Sequence, residues 1–235
     1  AFTFLDGTDE PAQMVAEAAR LGLDALAILD VDGMYSTVQT TMAARDVGLP
    51  IAYGAELTLT PDSLRGIIPG AQAPGWGLAP GADDPGIRLP VLAQSPGGYA
   101  NLVGAMSERA LSAPGERNPC HSLVDLSVAG GDLIVLTGGR RGPLMRALRA
   151  GGRMSARRVL DELADTFGRD QILVEWQAAR GDEDEVGDTL ADLAHASGTR
   201  LVATTGARMS TPSKQALGDI LAATRLGLSL DEAQA

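Results

Sequence analysis

Apolar and polar positions along the chain follow two periods in turn. Over Pro11–Gly22, "PAQMVAEAARLG" puts Met14, Val15, Ala18 and Leu21 on one helical stripe, with Asp9 and Pro11 as a start and Gly22 as a stop. "ALAIL" (25–29) then reads as a short apolar strand, and "YSTVQTTMAARDVG" as a helix ending near Gly48. "LPIAYGAELTL" predicts a strand. "IRLPVLAQ" predicts another, which Pro90 weakens or places on a sheet edge. A helix follows in "GGYANLVGAMSERAL" and a strand of buried type in "DLIVLTG". "GPLMRALRAG" and "SARRVLDELADTFG" predict two helices. "QILVEW" is a strand, "EDEVGDTLADLAHASG" a helix, "RLVAT" a strand and "TPSKQALGDILAATRLG" a helix. Six strands, nearly all separated by helices, predict an α/β domain with a parallel sheet, open or closed into a barrel.

Two stretches break the pattern. Pro61 to Gly86 is rich in Pro and Gly and has no period, so it is expected to be a long surface loop. Ser112 to Pro119 is a shorter irregular segment. Neither a Gly-x-Gly-x-x-Gly turn after the first strand nor a Walker-type phosphate loop occurs.

Composition narrows the class. The 235 residues suit one large α/β domain or two small ones, and 45% apolar residues suffice for a core. Aromatics are only 3%, so aliphatic side chains must fill that core. No apolar run has the length of a membrane span and no signal peptide opens the chain. Cys120 is the one cysteine, which excludes an internal disulfide framework and points to a reducing cytoplasm. A net charge of −11 repels a nucleic-acid backbone, so DNA contact is expected to be absent or weak.

Parallel β/α folds bind ligands at the C-terminal ends of strands. Those ends carry Asp30 and Asp32, then Glu56 within its strand, then Thr137, Gly139, Arg140 and Arg141, then Glu175, then Thr205, Gly206 and Arg208. Asp30, Asp32 and Glu56 have the oxygen donors of a magnesium site. The plainer reading is that the two aspartates cap a turn while Glu56 pairs with an arginine. The two histidines, His121 in a loop and His195 on a helix surface, do not make a zinc site with Cys120, because two further ligands are missing. Seven arginines and no acid lie between Arg140 and Arg158. They form either a patch for phosphate or an acidic partner, centred on Arg140, Arg141, Arg146 and Arg149, or a solvated helix face. That stretch lacks aromatics, which argues against base stacking. These features alone define an α/β domain without a recognisable catalytic constellation.

The opening "AFTFLDGTDEPAQMVAEAARLGLDALAILDVDGMY" resembles the polymerase and histidinol phosphatase (PHP) domain of bacterial replicative DNA polymerase alpha subunits, most closely the error-prone branch. "LPIAYGAEL", "VLAQSPGGYANL", "LIVLTGGRRG", "FGRDQILVE", "LVATTGARMSTPSKQAL" and "SLDEA" continue the pattern in order, so the resemblance spans residues 1–235 as a single domain. It implies a distorted, TIM-like (β/α)7 barrel. The seventh strand, with a His-x-His pair, is then expected upstream of Ala1, and the first residue is not Met.

Active members of that family use clustered divalent metals at the strand ends to hydrolyse phosphoesters. Carried over residue by residue, the resemblance places the ligand positions at Asp6, Val31, Glu56, Arg88, Gly139, Gly206 and Arg208. Asp6 and Glu56 keep carboxylates. The histidine of Thr-Asp-His is replaced by Val31, the strand-opening histidine by Arg88, and the cysteine of Leu-Thr-Gly-Cys by Gly139. The last motif reads Thr205, Gly206, Ala207, Arg208. Guanidinium groups at former ligand positions put permanent positive charge where a cation would sit. Arg88 and Arg208 are expected to pair with Asp6 and Glu56. The resemblance therefore implies a degenerate PHP domain, with no cofactor and no catalysis of its own. It would hold or dock the remainder of an error-prone DNA polymerase chain, with replication or repair proteins as further partners. Two alternatives stay open. One is an active metal-dependent phosphoesterase using Asp6, Glu56 and an upstream His-x-His pair. The other is a stand-alone binding module using the arginine-rich face.

Overall fold

In the computed structural model of the chain, residues 7–68, 86–112, 120–177 and 183–234 are described. They form helices α1 (Pro11–Arg20), α2 (Thr37–Val47), α3 (Pro96–Ser112), α4 (Leu123–Ser127), α5 (Pro143–Phe167), α6 (Glu183–Ser197), α7 (Gln215–Leu226) and α8 (Leu230–Gln234). The strands are β1 (Leu26–Val31), β2 (Ile51–Leu59), β3 (Ile87–Ala93), β4 (Leu133–Leu136), β5 (Ile172–Gln177) and β6 (Arg200–Thr204). Neighbours in the six-stranded sheet follow chain order from β1 to β6. The architecture is α/β; the expected seventh strand and barrel closure are not among the described residues.

The described residues fall into two compact units. The first comprises residues 7–55 and 207–234, the second residues 56–68 and 86–206 without the undescribed positions, and β2 runs from one into the other. In the first unit, Val15 and Ala18 of α1 meet Ala44 of α2 and Leu49, with Leu26, Ile28 and Ile51 against them. The α1 stripe is therefore real at its centre, but Leu21 is exposed, because the helix ends at Arg20. Gly48 ends α2 in the left-handed conformation, a geometry that a Cβ disfavours. In the second unit, Leu144, Ala156, Val159, Leu160 and Leu163 of α5 are fully or almost fully buried. Burying each such side chain stabilises by roughly 1.5–3 kcal/mol, so aliphatic residues carry this core without aromatics.

Four expectations change in the structure. β3 runs antiparallel to β4, with Val91 opposite Val135 and Ala93 opposite Leu133, whereas β4–β5 and β5–β6 are parallel as expected. Strand–helix alternation does not encode direction; direction depends on where the chain re-enters the sheet. Pro90 sits in an interior strand, between β2 and β4, and is buried. The ladder with β4 covers Val91–Ala93 and so does not call on the missing Pro90 N–H. The segment expected to loop out from Pro61 begins instead with a 3-10 turn, Pro61–Leu64, and buries Leu64 and Ile68; residues 69–85 lie outside the described residues. His121 is not a loop residue. Its N–H donates to the Thr58 carbonyl at 2.8 Å and its carbonyl accepts from Thr60 at 2.8 Å, which bridges it to the end of β2 and buries it.

The two predicted helices over 143–167 are present as α5, broken at Gly152 by a backbone of φ 67°, ψ −167°. α4 was not legible as a helix. Its Ser122 cap accepts from the Asp125 N–H at 3.0 Å while Asp125 accepts from the Ser122 N–H at 3.2 Å, a reciprocal cap on only five residues.

Asp9 has a different role from the predicted helix start. The residue before α1 is Glu10, whose N–H donates to Gln13 Oε1 at 3.1 Å. The buried Asp9 carboxylate accepts from Lys214 Nζ at 2.6 Å, Ser210 Oγ at 2.5 Å, the Ser210 N–H at 3.0 Å and Thr8 Oγ1 at 2.7 Å. It thereby ties the start of the first unit to that unit's C-terminal segment. Burial by itself raises an acid's pKa, but the Lys214 ammonium and the Ser210 and Thr8 donors outweigh it and hold Asp9 well below the usual carboxylate range. The unfolded chain therefore takes up this proton first on acidification. The stabilisation is complete above the unfolded value, about pH 4, and is lost as pH falls through the folded value. Asp9→Asn is expected to cost roughly 2–3 kcal/mol near pH 7. In urea melts across pH, the gap to the parent protein should narrow steadily on acidification; a constant gap would contradict the assignment.

Candidate functional site

The strand ends of each unit present different chemistry. In the first unit, β1 ends at Asp30 and Val31. Asp30 is buried, and its Oδ2 accepts the Ser36 N–H at 2.7 Å and the Ser36 hydroxyl at 2.6 Å. It organises the turn into α2 and spends one oxygen there. Asp32 has φ 49°, a left-handed backbone rare for a side chain with a Cβ, and Gly33 follows beneath the Tyr35 ring. Val31 fills its position with a half-buried aliphatic group. Asp6 lies outside the described residues. The residues after it lead to Arg208, whose carbonyl accepts from the Thr8 N–H at 3.2 Å. Surrounding protein lowers the pKa of the Arg208 guanidinium by desolvation, and the like charge of Arg225 adds to this. More than a third of Arg208 remains accessible to water, so the group stays a cation at neutral pH.

In the second unit, antiparallel pairing brings the start of β3 to the C-terminal end of β4. The Arg88 N–H donates to the Arg141 carbonyl at 3.0 Å. The Arg88 side chain crosses to β2, where Nη1 donates to Thr58 Oγ1 at 2.5 Å. Strand alternation puts Glu56, half-buried, on the same face as Thr58. Arg88, Thr58 and Glu56 are thus assembled at this end of the sheet, with a guanidinium at the position expected for an imidazole.

The third part of the site centres on β5. Glu175 is buried; its N–H donates to Thr137 Oγ1 at 2.9 Å. Its Oε1 accepts from Gln177 Nε2 at 2.9 Å and from Thr204 Oγ1 at 2.5 Å. Among the described residues Glu175 Oε2 has no hydrogen-bond partner. Gly139 and Gly206 flank the Gln177 amide: a Cβ on Gly139 would overlap Gln177 Oε1, and one on Gly206 would lie 2.8 Å from Gln177 Cδ. Glu175 was visible as a strand-end acid in the sequence, whereas Gln177 was missed. The available signal was the period of two that puts it on the face of Glu175, one step nearer the strand end.

Several arginines of the 140–158 stretch bond to neighbouring elements, while Arg140, Arg149, Arg153 and Arg158 stay exposed. Arg146 donates to the Gly86 carbonyl at 2.7 Å, and Arg149 makes a long contact, 3.5 Å, with the Arg140 carbonyl. Arg153 pairs with Asp192 at 2.8 Å and Arg157 with Asp161 at 3.1 Å. Arg140 is exposed and Arg141 half-buried in the turn before α5. Among the described residues, no group of three or more His, Cys, Asp or Glu side chains is placed to hold a metal ion. His195 is exposed on α6. No helix of the described residues is long and apolar enough to cross a membrane.

The PHP domain family profile matches residues 1–179. The chain is 38% identical over 235 residues to the error-prone DNA polymerase of Mycolicibacterium paratuberculosis (strain ATCC BAA-968 / K-10), covering 99% of this chain and 20% of that protein. It is 37% identical over 237 residues to the error-prone DNA polymerase of Mycobacterium tuberculosis (strain ATCC 25618 / H37Rv), with the same coverage. The chain spans about a fifth of the length of the curated relatives it matches. Among solved structures, it is similar to a Bifidobacterium adolescentis protein assigned as a metal-dependent phosphoesterase, with TM-score 0.55, 16% identity, and 88% of this chain and 85% of that one covered. An amidohydrolase from Chromobacterium violaceum gives TM-score 0.54 and 16% identity, over 89% of this chain and 85% of that one. At such identity these two structures speak to the fold alone.

Thr137→Val keeps the side-chain shape but removes the acceptor of the buried Glu175 N–H. A loss of about 1–3 kcal/mol in denaturant melts is expected. An unchanged midpoint would show that the hydroxyl does not carry this tie.

Proposed function

The chain belongs to the PHP domain family, and on that footing we propose that it is a degenerate PHP domain, without metal catalysis, that serves as a structural and partner-docking part of an error-prone DNA polymerase. The observation that carries the first half is the chemistry at the strand ends of the second unit. A divalent cluster needs several converging imidazoles and carboxylates. Here Arg88 brings a guanidinium to Thr58, and Gly139 and Gly206 bring no donor atom at all. Among the described residues the side chains do not fit such a cluster. Asp6 and Glu56 are the carboxylates that remain at ligand positions. Identity of 37–38% across 99% of the chain to error-prone polymerases supports the second half.

On this reading the side chains of the strand ends hold the sheet instead of turning over a substrate. Arg88 links β3 to β2, and Glu175 links β5 to β6 through Thr204. The larger polymerase chain, in a cytoplasmic setting, is the main partner. The acidic surface keeps DNA contact by this domain weak.

The test is metal content together with turnover. The purified protein, dialysed against Zn²⁺ or Mn²⁺, should carry substoichiometric metal by plasma mass spectrometry. It should hydrolyse a nitrophenyl phosphodiester at the rate of buffer alone. Stoichiometric metal with turnover that is abolished by Glu56→Ala would instead establish an active phosphoesterase.

A further inference from the structure

Two glycines in the second unit share one neighbour. Gly139 follows β4, Gly206 follows β6, and Gln177 ends β5, the strand between them. The amide of Gln177 lies where a side chain on either glycine would have to begin. Gly206 has a second reason to be glycine, because its φ is 55°. Gly139 has no such backbone reason, since its φ is not in the left-handed range. What keeps a side chain off Gly139 is the volume already filled by Gln177.

The amide is tethered as well as packed. Its Nε2 donates to Glu175 Oε1, the oxygen that also accepts from Thr204, and the Glu175 N–H is held by Thr137. Displacing Gln177 therefore gives up a hydrogen bond that belongs to a network across β4, β5 and β6. When this amide swings aside it gives up its bond to Glu175 Oε1.

We propose that Gln177 is the built-in occupant of the strand-end position between Gly139 and Gly206, excluding an ion or substrate group from it, and that the two glycines are the partners this occupancy requires. The proposal deepens the metal-free reading and rests on it. A ligating side chain at 139 or 206 and the Gln177 amide exclude each other by volume, so replacing one without the other opens a hole or forces a clash. The Gln177 bond to Glu175 lies within β5, and Glu175 in turn meets Thr204 of β6 and Thr137 after β4.

Thermal melts of the parent protein, Gly139→Ala, Gln177→Ala and the double variant test the occupancy. Gly139→Ala alone is expected to lower the melting temperature by about 3–6 °C, through the displaced amide. In the Gln177→Ala background the same substitution should be neutral or raise it slightly, the usual result of giving a compatible glycine a Cβ. Equal effects in both backgrounds, or no effect in the parent, would overturn the proposal. Calorimetric titration of the parent protein with Zn²⁺ and Mn²⁺ keeps the two readings apart. Tight stoichiometric binding would remove the metal-free reading, whatever the melts show.

Discussion

Two groups cannot fill one volume, and at the C-terminal ends of β4, β5 and β6 the volume is taken by an amide. Gln177 lies between Gly139 and Gly206 and is fastened to Glu175. The surrounding chemistry follows from that occupancy. Glycines are accommodated beside it, and Thr137 and Thr204 complete the bonds around Glu175. An added ligand side chain would meet resistance from a hydrogen-bonded neighbour. On the proposed reading, hydrogen bonds among β4, β5 and β6 hold these strand ends together without an ion.

Charge at the start of β3 adds to this picture. Arg88 reaches Thr58 from the start of β3, a place made available by the antiparallel turn of that strand. A guanidinium is permanently charged, planar and rich in donors, so it joins acceptors well and coordinates cations badly. In the first unit the acids are also engaged with protein. Asp30 holds Ser36, and Asp9 holds Lys214 and Ser210. Carboxylates that receive hydroxyl and N–H donors within the fold have less capacity left for a metal.

The arginines between Arg140 and Arg158 show how a run in sequence is divided among several partners in three dimensions. Seven of them in nineteen positions read either as a patch for phosphate or an acidic partner or as a solvated helix face. Gly152 breaks the helix, and the guanidinium groups turn to separate targets: the Gly86 carbonyl, Asp192, Asp161 and the Ala196 carbonyl. Each of these bonds depends on which element packs beside the helix. Local sequence has no access to that.

Period and punctuation made the elements legible: apolar spacing marked α1, short aliphatic runs marked the six strands, and Gly22 and Gly48 marked helix stops. These are local consequences of covalent geometry, and one stretch of chain suffices to encode them. Glu56, Arg88, Gly139 and Gly206 were singled out as ligand positions by the family resemblance, which rests on motif order. Long-range placement decided the rest. The direction of β3, the interior seat of Pro90, the pairing of His121 with β2, the Asp9 hub and the lodging of Gln177 between two glycines all join residues far apart in the chain. Such contacts are selected by the packing free energy of the whole assembly, which no single segment carries.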